Sequence, residues 1–364
     1  MIKEKGRIKE RYNRAVKRLR RNVESINECD FIDNKDIKRE YTPFLDFGID
    51  NQEYQEAQKL KKRLMIKYHG KLLEDEVKGR EVKTEKGECF RIQYQYEINI
   101  NVIDKQSARE KILSDLKIIY GIGDVTERIL KEEGYKTIED LTIHPRFAKE
   151  ASRFLKIIEK TDIRSIVQWI EYWFPVSHPL VLYSSAFFSR DEYVILDIET
   201  MGLFNRPIIL IGVAQISDGS IIINQYFVRS IKDEPATLIR FLSHINNNNV
   251  FITYNGRTFD IPYIRERLAF YRIKGILDKP HYDILHFARR AWKGMVPDCR
   301  LTTIEKYLFE VIRKDDVPGA LVPEFYETYM KTGNIGTIIP IIEHNRQDLI
   351  TLANMFSRLH EEWG

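Results

Sequence analysis

The ten residues PIILIGVAQI at 207–216 are the longest apolar run in the chain. A strand that is apolar on both faces must be covered on both, which is the situation of a central strand in a layered sheet. The run is far short of the roughly 20 apolar residues that span a bilayer. Just before it, YVILDIETMGL at 193–203 reads as a second buried strand, yet it ends in acids. Side chains on a strand alternate between faces, so Asp197 and Glu199 project together. Two like charges side by side repel, and burial raises the cost. A cation is therefore expected between them.

The pattern after 190 is orderly. SIIINQYFV at 220–228 alternates and suits a third strand, 233–245 suits a helix, and VFITYNG at 250–256 suits another strand. A helix follows from Asp260, and the remainder reads as helical, ending in a long segment around 336–360. A meander followed by strand–helix alternation predicts an α/β fold, a mixed sheet flanked by helices.

The 364 residues suit two or three domains. FPVSHP at 174–179 breaks the pattern, so the last domain is expected at 179–364. A helical segment is expected at 106–178, and a basic, β-containing region at 1–105. Within that region, residues 1–22 hold ten Lys/Arg against two Glu, a surplus of +8 that leaves −4 for the rest of a +4 chain. Such an arm, read as a helix over 1–28, suits a polyanion, and a solvated helix fits equally well. A second basic run lies at 59–71. Residues 77–103 alternate and predict two antiparallel strands joined near Lys86-Gly87.

The three cysteines, Cys29, Cys89 and Cys299, form no CxxC pair, which argues against a zinc site or a disulfide scaffold. The start, MIKEKGRIKER, has no apolar core and is no secretory signal. A reducing, cytoplasmic setting is expected, with no membrane partner and no small-molecule cofactor.

In IIYGIGDVTERILKEEGYKTIEDL, 118–141, Gly121-Ile122-Gly123 makes a tight turn. Asp124 is positioned to cap the following helix, Gly134 to end it, and Thr137 to begin another. The stretch resembles a helix-hairpin-helix module of DNA repair and recombination proteins. The resemblance implies that backbone N–H groups at Gly121 and Gly123 meet a phosphate, as helix N-termini do. A glycine turn between packed helices is the alternative.

Three further stretches belong together: DIE at 197–199, YNGRTFD at 254–260, and EHNRQD at 343–348, where His344 and Asp348 share a helix face. Taken singly, Asp260 is a helix cap and Asn255-Gly256 a turn. Their joint order resembles the DEDD (DnaQ-like) 3′–5′ exonucleases of the ribonuclease H-like superfamily, and within them the YprB-type domain. HYDILHFARR at 281–290, LTTIEKYL at 301–308 and DDVPGALVPEFYETY at 315–329 add to that likeness, which covers about 180–360.

The resemblance implies a nuclease acting on single-stranded DNA or RNA, DNA being favoured by the hairpin. Four carboxylates favour hard divalent cations, Mg²⁺ or Mn²⁺, and two such ions can clamp the attacking and leaving oxygens of a phosphodiester. By family, Asp197 bridges both ions, Glu199 and Asp348 complete one site, Asp260 holds the other, and His344 orients or deprotonates the water. The sequence departs from the family in one respect. The family's subtypes place a Tyr four residues before the last Asp or a His five before it, and this chain has His at the Tyr spacing.

Tyr254, Asn255 and Arg257 are expected to touch the strand, with Arg265, Arg267, Arg289, Arg290 and Lys293 as further cations. Asp283 and His286 read as structural or substrate-lining, and Asp315-Asp316 as a solvated turn. A metal-dependent endonuclease, a non-catalytic nucleic-acid-binding protein and a hairpin scaffold for protein partners remain as alternative readings.

Overall fold

The computed structural model describes residues 51–217 and 219–364. The basic helix expected at 1–28 lies outside them. Seven strands form one sheet: β1 Gly79–Thr84, β2 Gly87–Glu97, β3 Tyr193–Thr200, β4 Ile208–Ser217, β5 Ser220–Phe227, β6 Val250–Thr253 and β7 His281–Asp283. Their spatial order is β1-β2-β5-β4-β3-β6-β7. Pairing from β1 to β3 is antiparallel, while β3–β6 and β6–β7 are parallel. The apolar run at 207–216 is the middle strand, as two covered faces require.

The sequence hairpin at 77–103 is present, with its turn at Glu85-Lys86, but it does not stand apart. Phe90–Glu97 pairs along the whole of β5, so the sheet crosses the boundary expected at 105. A second departure is β7, three residues in a stretch that reads as helical; it extends the sheet parallel to β6.

The two faces are closed by different elements. Val194, Leu196 and Ile198 pack on one side against α8 (Glu234–Leu242) and α9 (Asp260–Phe270). Tyr193 and Ile195 pack on the other side against α13, Ile339–Trp363. The same core runs on without a break into α3 (Lys105–Leu113), α5 (Ala148–Glu159) and α6 (Ile163–Trp173). By strand alternation Asp197 and Glu199 share the face of Ile195 and meet α13. Among the described residues no helix is long and apolar enough to cross a membrane.

The glycine hairpin lies between α3 and α4, Asp124–Glu132. Gly121 has φ +83°, a left-handed conformation that glycine adopts without steric cost. The cap of α4 is Gly123; Asp124 is the first helical residue, its carboxylate 3.2 Å from Lys117 Nζ. Gly134, at φ +100°, ends the helix, and the Tyr135 N–H donates back to Leu130 O at 2.9 Å. The segment from Thr137 forms a short 3₁₀ turn over Asp140–Ile143 rather than an α-helix, and α5 follows.

Candidate active site

Asp197 and Glu199 stand on β3, Asp260 opens α9, and Asp348 lies on α13. Glu199, Asp260 and Asp348 are each less than a tenth exposed. Backbone bonding draws them together. Asp260 Oδ1 accepts the Ile198 N–H at 3.2 Å, so this carboxylate is pinned to the strand between the two strand acids. Asn345, fully buried on α13, donates its amide to Asp197 Oδ2 at 2.7 Å and to Asp197 O at 3.1 Å. Its own Oδ1 accepts from Gln225 on β5.

Gly212 permits this approach. It sits opposite Asp197 on β4, and a Cβ there would lie 2.2 Å from Asn345 Oδ1 and 2.8 Å from a Leu349 methyl. A glycine inside a strand often marks such a close approach, and that is the signal by which Asn345 could have been found.

The electrostatics follow from burial and crowding. Burial, then Asp348, Glu199 and Asp260, hold the Asp197 carboxyl well above the ordinary carboxylate range. Burial pushes Glu199 up to about 7, against the attraction of His344 and with Asp348 and Asp316 adding to the rise. Burial likewise pushes Asp260 up to about 8, opposed by its backbone hydrogen bonds. Neighbouring carboxylates add to the rise of all three, as acids sharing one site must.

Two cations offset this charge. Arg313, in the loop between α11 (Leu301–Leu308) and α12 (Val322–Thr332), grips fully buried Glu305 with two hydrogen bonds of 2.6 and 2.7 Å. The same guanidinium donates to Asp348. His344 lies one turn before Asp348, its Nε2 3.6 Å from the carboxylate, and its Nδ1 is 2.7 Å from Asp316. Nδ1 also lies 3.2 Å from an Arg313 nitrogen, but it cannot donate to Asp316 and accept from Arg313 at once. The shorter contact joins opposite charges, so Nδ1–H donates to Asp316. Burial alone would lower the His344 pKa; Asp348, the Asp316 hydrogen bond and Glu199 outweigh it and raise the value to about 10. Asp316 is therefore not the solvated turn that the sequence suggests. Asp315 is exposed and pairs with Arg63.

The residues expected to touch the strand are placed as follows. Tyr254 donates its hydroxyl to Cys299 O and packs against the core. Asn255 has φ +66°, and its N–H and that of Arg257 donate to the two oxygens of buried Asp283, at 2.7 and 3.1 Å. Asp283 thus anchors the loop that delivers Asp260. The Arg257 guanidinium pairs with Glu171 and donates to His281 O. Arg267 is buried in a two-pronged pair with Glu234. Gly121 and Gly123 lie in the separate hairpin.

The donor set is oxygen only, which fits a hard divalent cation such as Mg²⁺ or Mn²⁺. Among the described residues no three His, Cys, Asp or Glu side chains stand as a ready cage. Arg313 takes an Asp348 oxygen that a metal would otherwise share.

Residues 194–360 match the family model RNase_H_2, described as RNase_H superfamily. The uncharacterized protein YprB of Bacillus subtilis is 28% identical over 192 residues, 51% of this chain and 46% of that protein. A PolC-type DNA polymerase III of Mycoplasma genitalium is 26% identical over 197 residues, 45% of this chain and 13% of that protein. The chain spans less than half the length of either relative. Residues 194–360 are a ribonuclease H-like domain of the YprB type.

Proposed function

We propose that this protein is a divalent-metal-dependent nuclease that shortens single-stranded nucleic acid, DNA before RNA, from its 3′ end. One observation carries the reading: carboxylates from β3, α9 and α13 meet in one buried place, with Asp260 bonded to the backbone between Asp197 and Glu199. Buried like charges without a purpose are costly and rarely kept. Asp197, Glu199, Asp260 and Asp348 would hold the cations. When bound, divalent ions activate water and stabilise the leaving oxygen of a phosphodiester, two of them together in the family's scheme. The resemblance to a PolC-type polymerase supports a nuclease, and ribonuclease H-like nucleases generally use divalent metals.

The protein's own groups do the rest. Asp316 accepts the Nδ1–H of His344, which is protonated in the metal-free site. Cations held by the carboxylates would lower its pKa, and the imidazole, once neutral, would carry its lone pair on Nε2, which faces Asp348. That is the tautomer a general base requires. Asn345 fixes the rotamer of Asp197. Arg313 fixes that of Asp348.

The test is incubation of 5′-labelled single-stranded DNA and RNA of equal length with Mg²⁺ or Mn²⁺, beside Asp197→Ala. A ladder of shortened products that vanishes with EDTA and in the variant is expected. Internal fragments would establish an endonuclease instead. Binding of both strands with cleavage of neither would establish a non-catalytic binding protein.

A further inference from the structure

A groove of about 350 Å³ opens between α6 and α9, floored by residues 277–281. Four cations line it: Arg164 from α6, Arg265 from α9, Arg257 from the loop before α9, and Lys279. The three guanidiniums are held in a common way, each by a backbone carbonyl of the floor. Arg164 donates to Asp278 O, Arg265 to Leu277 O, each at 3.0 Å, and Arg257 Nε to His281 O at 3.0 Å. A carbonyl orients a guanidinium without neutralising it, so most of the charge stays available.

Two carboxylates stand against these four cations. Glu171 pairs with Arg257. The Asp278 carboxylate is 88% exposed and 3.8 Å from Arg164, where water screens it. The Lys279 ammonium is disfavoured by burial and by Arg164. His281 is kept neutral by burial and by Arg257 and Arg265. Four cations thus face the groove against two carboxylates, a surplus of positive charge suited to an anion.

Shape and place identify the anion. Ile261 and Pro262 form an apolar wall, and the volume is that of a small-ligand pocket. These two residues directly follow Asp260, and Arg257 precedes it by three positions. Three residues of chain span at most about 10 Å. A phosphate in the groove therefore lies within a few nucleotides of the carboxylates, and planar guanidiniums suit its oxygens.

We propose that the α6–α9 groove is a phosphodiester-binding subsite that holds the single strand beside the carboxylate site. The proposal rests on the nuclease reading for its ligand. A strand phosphodiester and the terminal phosphate of a free nucleotide share this chemistry, and the experiment separates them.

The probe is 5′-fluorescein-labelled dT20, titrated in EDTA and followed by anisotropy across a range of NaCl. The double variant Arg164→Gln/Lys279→Gln is compared with the wild type and with Lys83→Gln/Lys331→Gln, which loses the same charge at exposed sites elsewhere. The expected result is affinity about tenfold weaker at low salt for the groove variant and unchanged for the control. The slope of log K against log salt should fall in magnitude by up to about 1.4, since each phosphate contact on a single strand contributes about 0.7. Equal affinity and slope in wild type and groove variant overturn the proposal. So does displacement of dT20 by dTMP at concentrations near its own Kd, which would make the groove a free-nucleotide site. Cleavage of the same oligonucleotide in Mn²⁺ is read separately: a wild type that binds through the groove but cuts nothing sustains the subsite and removes the nuclease reading.

Discussion

Arg313→Met tests the idea that a buried guanidinium holds the carboxylate site together before any metal arrives. The Arg313 side chain is 8% exposed and its partner Glu305 is 1% exposed. Methionine keeps much of the aliphatic volume and removes the charge. Glu305 then loses two short hydrogen bonds and keeps the Thr351 hydroxyl, while Asp348 loses one of its two cations and keeps His344. Removing one partner of a buried pair costs about 3–5 kcal/mol, because the other charge is left without compensation. Total stabilities run about 5–15 kcal/mol, so this is a large fraction. At about 2 °C per kcal/mol for a large domain, Tm in EDTA should fall by roughly 6–10 °C.

Two further arms make the reasoning refutable. In Arg313→Met/Glu305→Leu both charged partners of the pair give way to apolar groups, and such replacement is far less costly than breaking the pair. The double variant should melt above the single one. Mg²⁺ or Mn²⁺ should narrow the gap between Arg313→Met and wild type, since a cation then replaces the missing charge. An Arg313→Met protein that melts with the wild type in EDTA by scanning calorimetry would show that the pair bears no desolvated charge. A double variant that melts below the single one would sink the compensation argument.

Other perturbations probe the same site. Gly212→Ala puts a Cβ 2.2 Å from Asn345 Oδ1, an overpacking worth about 1–3 kcal/mol, and unchanged melting would show that α13 can back away freely. Asp316→Asn keeps a hydrogen-bond acceptor beside His344 and removes its charge, so the His344 pKa should drop and the acid limb of the cleavage pH profile should move to lower pH; an unmoved limb means His344 is not the base. In EDTA, Tm should fall from about pH 7 to pH 10, above the range in which the buried His178, His244, His281 and His360, whose pKa values are lowered, act in the opposite sense. Glu199 rises from 4.5 to about 7, Asp260 from 3.8 to about 8, and His344 from 6.5 to about 10. Each native group binds more protons than its unfolded counterpart across that window, so stability is fullest at its low end and is lost as pH climbs. Saturating Mg²⁺ should flatten the curve, and a metal-free Tm that rises with pH in that window would contradict the shifts.

What was legible in the sequence is what depends on local periodicity. The period of two placed Asp197 and Glu199 on one face, and the apolar run at 207–216 marked the middle strand. The hairpin at 77–103 was readable as a hairpin, but its pairing with β5 joins residues more than a hundred apart and leaves no local trace. β7 escaped because three residues carry no period. The glycine turn and its Gly134 stop were visible, while the Asp124 cap was displaced by one position because Gly123 caps through backbone geometry alone. Arg313, Asp316 and Glu305 were missed for a related reason. VIRKDDVPG reads as a charged, turn-rich loop, and Glu310 and Asp315 do adopt positive φ. Which of its charges turn inward is decided by Glu305 and His344, on helices before and after it.

Those inward charges bear on how such a site can fold at all. Asp197, Glu199, Asp260 and Asp348 repel one another, and burial denies them water. The chain supplies two internal cations, Arg313 and protonated His344, each fixed by a further acid, Glu305 or Asp316. The internal cations crowd around Asp348, while Asp197 and Asp260 are met by an amide and a backbone N–H. Compensation is therefore uneven across the site. On the proposed function, a divalent ion would gain most where neutral donors alone face the acids, on the β3–α9 side, and would share Asp348 with Arg313 on the other. The asymmetry predicts one tight and one weak class of Mn²⁺ site in calorimetric titration. Arg313→Met should tighten the weak class. Two classes of equal affinity in the wild type would show that the guanidinium leaves when metal binds.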